Sequence, residues 1–336
     1  MTCNPMILLL EKAIFIAVAS IFIGLIYKGF DRKLGARMQA RIGPPLRQPF
    51  RDVRKLMLKE SIVPKYAVPW LFNLMPVVAL ASTMAILLYL PFGPFAPLLH
   101  GYGDLILILY LLMIPALALV IGGFASGSPF ATIGAQREMV QMMSYEFPLA
   151  VVAVSVAWLI SNSVEGVAGF SLVAIGANPI WGLVGALGFI GIILLFISLM
   201  VVMPIELGRI PFDAPEAETE VAGGFIVEYS GRNMAMFYLA DAVKTIVFGS
   251  LIIAIFFPWG IAGVLGLTST PALIADLIFY LLKLFVIIFF GSILAHVAFA
   301  RLKIDQIVWV YWVPCLMIGI AGLVLIGLDK LLGVVM

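Results

Sequence analysis

The stretch "IWGLVGALGFIGIILLFISLMVVMPIELGRIPFDAPEAETEVAGGFIVEYSG", residues 180–231, joins a long apolar run to a cluster of acids. The forty residues before Glu206 carry no charge. Six of the chain's 18 acidic side chains then follow: Glu206, Asp213, Glu216, Glu218, Glu220 and Glu228. The apolar run is long enough to cross a bilayer, which takes about 20 residues. The pattern predicts a membrane helix that ends, at Glu206, in an acidic connection.

Similar apolar runs recur along the whole chain. The composition is 63% hydrophobic and 11% charged, whereas soluble domains are about a quarter charged. The sequence therefore predicts an all-α, polytopic membrane protein, with residues 1–336 forming a single integral membrane domain. We expect eight transmembrane helices, over residues 6–27, 68–92, 104–124, 136–160, 180–203, 234–257, 272–298 and 308–328. The first is too long for the apolar core of a signal peptide and should remain as an anchor.

The distribution of Lys and Arg predicts the orientation. The basic connection, residues 28–66, carries eleven of the twenty Lys and Arg side chains, and sixteen of the twenty fall in odd-numbered connections. The even-numbered connections, 93–103, 161–179 and 258–271, hold none. Because basic loops stay cytoplasmic, we expect residues 28–66 and the acidic connection, residues 204–233, to be cytoplasmic. Both termini then face outward, and the protein is predicted to be a multi-pass plasma-membrane protein.

The sequence offers little for a redox cofactor or a nucleotide. Its two cysteines, Cys3 and Cys315, form no C-x-x-C pair, so the chain alone cannot hold an iron–sulfur cluster. His100 and His296 are predicted on opposite membrane sides and cannot ligate one haem. Phosphate-binding and dinucleotide fingerprints are absent from the sequence. We expect no metal and no organic cofactor in this chain.

A nucleic-acid partner is also not expected. The net charge is only +2, and the basic connection lies between two predicted membrane helices. That position favours a surface for lipid headgroups or for partner subunits.

Ionisable residues inside the predicted spans are the candidate functional residues, because a charge at the bilayer centre costs about 2.5–3.5 kcal/mol on insertion scales. Glu146 lies about 15 Å inside the fourth span at 1.5 Å per residue, without a basic neighbour one turn away. A lone buried carboxyl suits a group that loads and unloads protons. Asp241 and Lys244 are spaced to pair on one helix, as a structural pair or as part of a relay. Asp276 is interpreted as a cap of the outer helix end.

The acidic connection combines helix breakers with apolar residues. Three prolines interrupt it: Pro204, Pro211 and Pro215. The segment "PEAETEVAGGF" predicts a short helix that places Glu216 and Glu220 on one face. A solvated acidic loop is the alternative, but the apolar residues between the acids favour a partly buried acidic funnel. The funnel would lead to Glu146, Glu206 and Asp241. The proton or ion relay candidates are Glu138, Glu146, Glu206, Asp213, Glu216, Glu218, Glu220, Glu228, Asp241, Lys244 and Lys283.

The segment "RIPFDAPEAETEVAGGFIVEYSG" resembles the signature loop of the H subunit of complex I (mitochondrial subunit one). That loop typically reads E-x-x-R-x-P-F-D-x-P-E-x-E-S-E-L-x-x-G-F-x-x-E-Y-S. The matching residues are Glu206, Arg209, Pro211, Phe212, Asp213, Pro215, Glu216, Glu218, Glu220, Gly224, Phe225, Glu228, Tyr229 and Ser230. Thr219 and Val221 depart mildly, and Asp241 stands where the family usually has Glu. "RKLGARMQARIGPP", "QPFRDVRKLMLKE", "AQREMVQMMSYE" and "RLKIDQ" extend the resemblance over most of the chain.

In two features the sequence differs from complex I and resembles another branch of the same superfamily. "GPPLRQP" lacks the longer insert usual in complex I, and Glu138 stands where complex I usually has a small residue. Both features are similar to the membrane subunit of energy-converting membrane-bound hydrogenases and sulfane reductases. The resemblance implies a ferredoxin-linked module coupled to proton or sodium movement. Its partner subunits would hold iron–sulfur clusters and, in the hydrogenase type, nickel–iron.

The implied partners are hydrogenase-like large and small soluble subunits, an iron–sulfur subunit, and antiporter-like and small membrane subunits within the lipid bilayer. The expected docking residues are Arg37, Arg41, Arg47, Arg51, Arg54, Arg209, Arg232, Arg301 and Asp305. Three alternatives stay open: a quinone-site subunit of a complex I, a stand-alone ion transporter, and an inert anchor whose acids only hold partners.

Overall fold

The computed structural model describes residues 5–101, 103–164 and 166–335, without the side chains of residues 5–9, 334 and 335. Cys3 lies outside the described residues. Thirteen helical segments are labelled here in chain order. They are α1 Pro5–Met38, α2 Gln48–Leu58, α3 Pro69–Tyr89, α4 Asp104–Ala125, α5 Pro129–Ser163, α6 Leu172–Ala177, α7 Ala186–Glu206, α8 Glu218–Val221, α9 Gly231–Phe256, α10 Thr270–Ile288, α11 Leu294–Ala298, α12 Ile304–Val310 and α13 Leu316–Val335.

Eight helices in the described ranges are long and apolar enough to cross a membrane. Six are α1, α3, α4, α5, α7 and α9. The other two are composite, because π-helical turns at Phe289–Ile293 and Tyr311–Cys315 join α10 to α11 and α12 to α13. The same residues contain no β-strand. The predicted all-α fold with eight membrane helices is confirmed.

Among the helices that extend further than predicted, two matter for the site. Helix α1 continues past Tyr27 to Met38, because the charged residues that follow Tyr27 are compatible with a helix. It stops before Ala40 and Gly43, which both have positive φ. Helix α5 begins at Pro129, where proline is favoured in the first turn. Lys28 therefore belongs to a membrane helix and not to the basic connection.

Helix α9 is the centre of the bundle. Its most apolar window is 94% buried, against 28–61% for the other seven candidate spans. It packs against α1, α2, α3 and α10. Gly24 of α1 lies so close to α9 that an added Cβ would come within 2.5 Å of the Ala242 carbonyl oxygen. This approach sets Lys28, one turn further along α1, beside Asp241.

The acidic connection folds onto α5 and α3. Gly224 has φ +59 and meets Gly134 of α5, where an added Cβ would lie 2.7 Å from the Gly224 Cα. Tyr229 stacks on Phe72 of α3 with 4.1 Å between ring centroids. Phe225 is also buried. The prediction of a partly buried connection is confirmed.

Two local predictions are wrong. The segment after Pro215 is not one helix, because Ala217 is non-helical between a 3-10 turn, Ala214–Glu216, and α8. Glu216 and Glu220 therefore do not share a helix face. Asp276 does not cap its own helix: its Oδ1 accepts hydrogen bonds from the backbone N–H groups of Ile261 and Ala262, at 2.8 and 2.9 Å. It closes the preceding loop instead.

We predict that the basic and acidic connections lie on the cytoplasmic side. In a chain whose native cysteines are replaced by serine, single cysteines at Arg47 and Glu218, both exposed, should react with a membrane-impermeant thiol reagent only from the cytoplasm. A cysteine at His100, also exposed, should react only from the outside. Labelling at Glu218 from outside would overturn the orientation and any docking of cytoplasmic partners to that face.

Candidate functional site

A cavity of about 260 Å³ lies between α1, α5, α9 and the acidic connection. Its apolar walls include Leu119, Phe225 and Phe237. Six carboxylic acids and four cationic side chains also line it. The acids are Asp31, Glu138, Glu206, Asp213, Glu216 and Asp241, and the cations are Lys28, Arg32, Arg209 and Lys244. The cavity is the candidate functional site because it gathers most of the buried charged side chains among the described residues.

Asp241 of α9 is the most highly connected of these acids. Its Oδ2 lies 2.6 Å from Lys28 Nζ and 3.5 Å from Arg209 Nη2. Arg209 Nη1 also lies 3.8 Å from Asp31 Oδ2. Lys28 is held further by the Tyr238 carbonyl oxygen at 3.1 Å and by the face of the Tyr238 ring. The network links α1, α9 and the acidic connection.

Lys244 pairs across the bundle and not along its own helix. Its Nζ lies 2.8 Å from Glu206 Oε1, at the last residue of α7. The predicted Asp241–Lys244 pair is therefore wrong, because both residues find closer partners on other segments. Glu206 is 4% exposed, and its Oε2 has no hydrogen-bond partner among the described residues. Burying a polar oxygen without a hydrogen-bond donor costs free energy.

Glu216 faces the same cavity from the acidic connection. Burial, reinforced by the negative charges of Asp241 and Glu138, raises the pKa of its carboxyl to about 8. Arg209 and Lys28 act in the opposite direction without reversing the shift. Glu216 is thus the acid outside the membrane helices that is best suited to hold a proton near neutral pH.

Glu146 is not part of the cavity wall. It is half-buried on α5, and its Oε1 has no hydrogen-bond partner within the described chain. The predicted funnel therefore includes Glu206 and Asp241, but the cavity wall does not include Glu146.

The remaining relay candidates are dispersed. Asp213 pairs with Arg301 at 2.8 Å on the edge of the cavity. Glu220 forms an ion pair with Arg137 of α5, Glu218 is exposed and Glu228 is half-buried. Lys283 lies outside the cavity. Its ammonium donates hydrogen bonds to backbone carbonyl oxygens just after the C-terminal end of α9.

Three residues of the site were not predicted from the sequence, and a fourth was predicted to lie on a docking surface. Lys28, Asp31 and Arg32 were placed in the basic connection because the end of α1 could not be read from hydropathy. Their i, i+3 and i, i+4 spacings on a continued helix were the available signal. Arg209, predicted to dock a partner, is 21% exposed and points into the cavity.

The other docking candidates remain accessible on the same face. Arg37, Arg41, Arg47, Arg51, Arg54, Arg232, Arg301 and Asp305 are exposed. In the part of the chain that the structure describes, no group of three His, Cys, Asp or Glu side chains is arranged to hold a metal ion. Cys315 is buried against Ser198.

Comparison with known proteins agrees with the predicted resemblance. Residues 11–327 match the family described as NADH dehydrogenase. The H subunit of NADH-quinone oxidoreductase from Brevibacillus brevis is 34% identical over 305 residues, covering 88% of this chain and 85% of the relative. Hydrogenase-4 component C of Escherichia coli is 32% identical over 312 residues, covering 88% of this chain and 93% of the relative.

A solved structure is similar over almost the whole fold. It is a chain of the membrane-bound sulfane sulfur reductase, an archaeal respiratory membrane complex, with a TM-score of 0.80 and 28% identity. The similarity covers 94% of this chain and 98% of that chain. The fold, the relatives and the matched range lead to one conclusion: the chain belongs to the NADH dehydrogenase family, among the membrane subunits of complex I-like and hydrogenase-type oxidoreductase complexes.

Proposed function

We propose that this chain couples a ferredoxin-linked hydrogenase or sulfane-reductase module to proton or sodium movement across the plasma membrane. The observation that carries the proposal is the cavity, in which carboxylic acids outnumber cations six to four. Ionising all of them in a confined space would leave unbalanced negative charge. Bound protons or sodium ions restore the balance, so the cavity is suited to take up and release positive charge.

Moving one charge within the cavity would change the proton affinity of its acids substantially. Two unit charges 4 Å apart interact by about 4 kcal/mol at an effective dielectric constant of about 20. That energy corresponds to about three pKa units. A movement of the acidic connection that withdraws Arg209 from Asp241 would therefore change the proton affinity of the neighbouring acids by a functionally useful amount.

The proposed relay has an entry, a middle and an inner member. Glu216 is the entry, because it belongs to the acidic connection and lines the cavity. Glu206 is the middle member, because it is buried at the end of α7 and contacts Lys244. Glu146 is the inner member, because it lies on α5 outside the cavity wall and its Oε1 has no hydrogen-bond partner among the described residues. The relay roles of Glu138, Asp213 and Asp241 are those of neighbours that set the local charge.

The proposed docking surface is the face that carries the basic and acidic connections. Exposed arginines of α2 and of the segment before it offer charge to the soluble hydrogenase-like and iron–sulfur subunits. Arg51 and Arg54 lie on α2 itself, and Arg47 immediately precedes it. Redox centres, iron–sulfur clusters among them, are assigned to those partners. Antiporter-like membrane subunits would contact the bilayer-embedded sides of the bundle, and changes in this chain would reach them through those contacts.

A quinone-site role is the second candidate function. The similarity to the H subunit of NADH-quinone oxidoreductase favours it, as do the cavity's apolar side chains, Phe225 and Phe237. Quinone extracted from the purified complex, and inhibition by quinone-site blockers, would favour this candidate over the ferredoxin-linked one. Ion flux by the chain alone in liposomes would instead support a stand-alone transporter.

We predict that Glu146→Gln separates electron transfer from ion movement. The substitution removes the titrating proton and nearly preserves side-chain size. The complex should assemble and pass electrons to an artificial acceptor, while ion translocation in proteoliposomes is lost or sharply reduced. Glu60→Gln is the matched control, because Glu60 is exposed outside the cavity. If Glu146→Gln translocates ions with normal stoichiometry, the relay must run through other residues. The acids of the acidic connection would then be better explained as docking contacts.

We also predict a pH dependence that originates at Glu216. An ordinary Glu ionises near pH 4.5, whereas folded Glu216 retains its proton up to about pH 8. The folded state therefore binds one more proton between these values, and the associated stability is complete below 4.5 and lost as pH rises through about 8. Thermal unfolding of the complex across this range should show a smaller loss of stability in Glu216→Gln than in the wild type.

Glu218→Gln provides the control for that measurement, because Glu218 is exposed in the same connection. Its pH dependence should equal that of the wild type. Identical pH profiles for Glu216→Gln and the wild type would show that Glu216 is already ionised at neutral pH, which contradicts the proposed entry role.

A further inference from the structure

A second cavity, of about 340 Å³, lies at the opposite end of the bundle from the charged cavity. Its walls come from residues 91–97, α6, the loop that follows α9, and α10. Two charged side chains line it, Asp276 and Lys283. The proposed relay uses neither the cavity nor Asp276, so the site needs a separate explanation.

Lys283 presents a fixed cation with unused donor capacity. Its Nζ donates to the carbonyl oxygens of Phe257 and Trp259, both at 2.7 Å. An ammonium group has three N–H donors, and the described residues supply these two acceptors. The Phe279 ring lies 4.7 Å from Nζ. The ammonium is thus held in place by backbone and ring, with one donor left for a ligand.

Asp276 presents an anion in the same cavity. Its Oδ1 accepts the two backbone hydrogen bonds from the loop, and Oδ2 accepts none from the described residues. Asp276 and Lys283 form no ion pair within 4 Å of each other. They lie two helical turns apart on one face of α10, and the Lys283 side chain leans toward the helix N-terminus and so toward Asp276. The cavity offers separate positive and negative contacts.

We propose that this cavity binds the zwitterionic headgroup of an amine-bearing phospholipid, with the phosphodiester at Lys283 and the ammonium at Asp276. A ligand with both charges satisfies both side chains at once. Trp259 is 43% exposed beside the cavity, and tryptophan is enriched at membrane–water interfaces. This places the cavity at headgroup level in the leaflet away from the charged cavity.

The surface next to the cavity accommodates acyl chains. Val286 and Phe290 are 43% and 57% exposed. They follow Lys283 by three and seven residues, so they form an apolar stripe that continues the Lys283 side of the helix from the cavity further into the membrane span. A soluble zwitterion would gain nothing from this stripe, which is why a lipid is the assigned occupant.

The test uses the intact complex, delipidated in detergent, with native mass spectrometry and thermal unfolding as readouts. Phosphatidylethanolamine should be retained and should raise the unfolding temperature. Phosphatidylglycerol lacks the ammonium, and phosphatidylcholine has an ammonium that cannot donate hydrogen bonds. Each should bind about tenfold more weakly, as the loss of one charge-assisted hydrogen bond implies. Free phosphoethanolamine should not compete at concentrations that saturate the lipid.

Gly176→Phe tests the site without altering either charge. Gly176 lines the cavity, and an added Cβ there meets no atom within 4 Å, so the ring fills the cavity while the fold is kept. It should abolish the preference for phosphatidylethanolamine. Gly263→Phe, at an equally open glycine outside the cavity, should retain it. Equal binding of the three lipids, unchanged preference in Gly176→Phe, or competition by free phosphoethanolamine would each overturn the proposal.

Discussion

The structure depends on one carboxylate, Asp241, on the most deeply buried helix of the bundle. It receives Lys28 from α1 and Arg209 from the acidic connection. Lys28 is 5% exposed, whereas the Asp241 side chain is 35% exposed. Removal of one member of this ion pair should therefore cost less than the about 3–5 kcal/mol typical of a fully buried pair. Through these ion pairs, the position of the acidic connection is linked to the charge balance around α1 and α9.

Under the proposed function, the same arrangement gives the chain a way to respond to redox chemistry in partner subunits. Arg209 is shared between Asp241 and Asp31, so a displacement of the acidic connection redistributes positive charge among several acids. We expect Glu216 then to bind its proton more or less strongly, according to how much of that positive charge remains nearby. Partner subunits would need only to move the connection, which lies on the face proposed for docking.

Much of the fold could be predicted from the sequence, because the number of membrane helices follows from apolar length alone. The composition of the acidic connection also predicted its partial burial. The partners of each charge could not be predicted in the same way. Helical spacing identified Asp241 and Lys244 as neighbours, but contacts with other segments decide their pairing, and spacing within one helix carries no information about those segments. Lys28 was misplaced because hydropathy falls at Tyr27 while α1 continues to Met38.

The central claim is that redox change in the partner module alters protonation of the cavity acids. Redox-induced difference infrared spectroscopy of the intact complex tests it most directly, because protonated carboxyl groups have a distinct C=O absorption that shifts in deuterated water. Reduction of the soluble module should change this absorption in the wild type, and Glu216→Gln should remove or strongly reduce the change. The same carboxyl signal in the wild type and in Glu216→Gln, or no carboxyl signal in an actively pumping wild-type complex, would contradict the account.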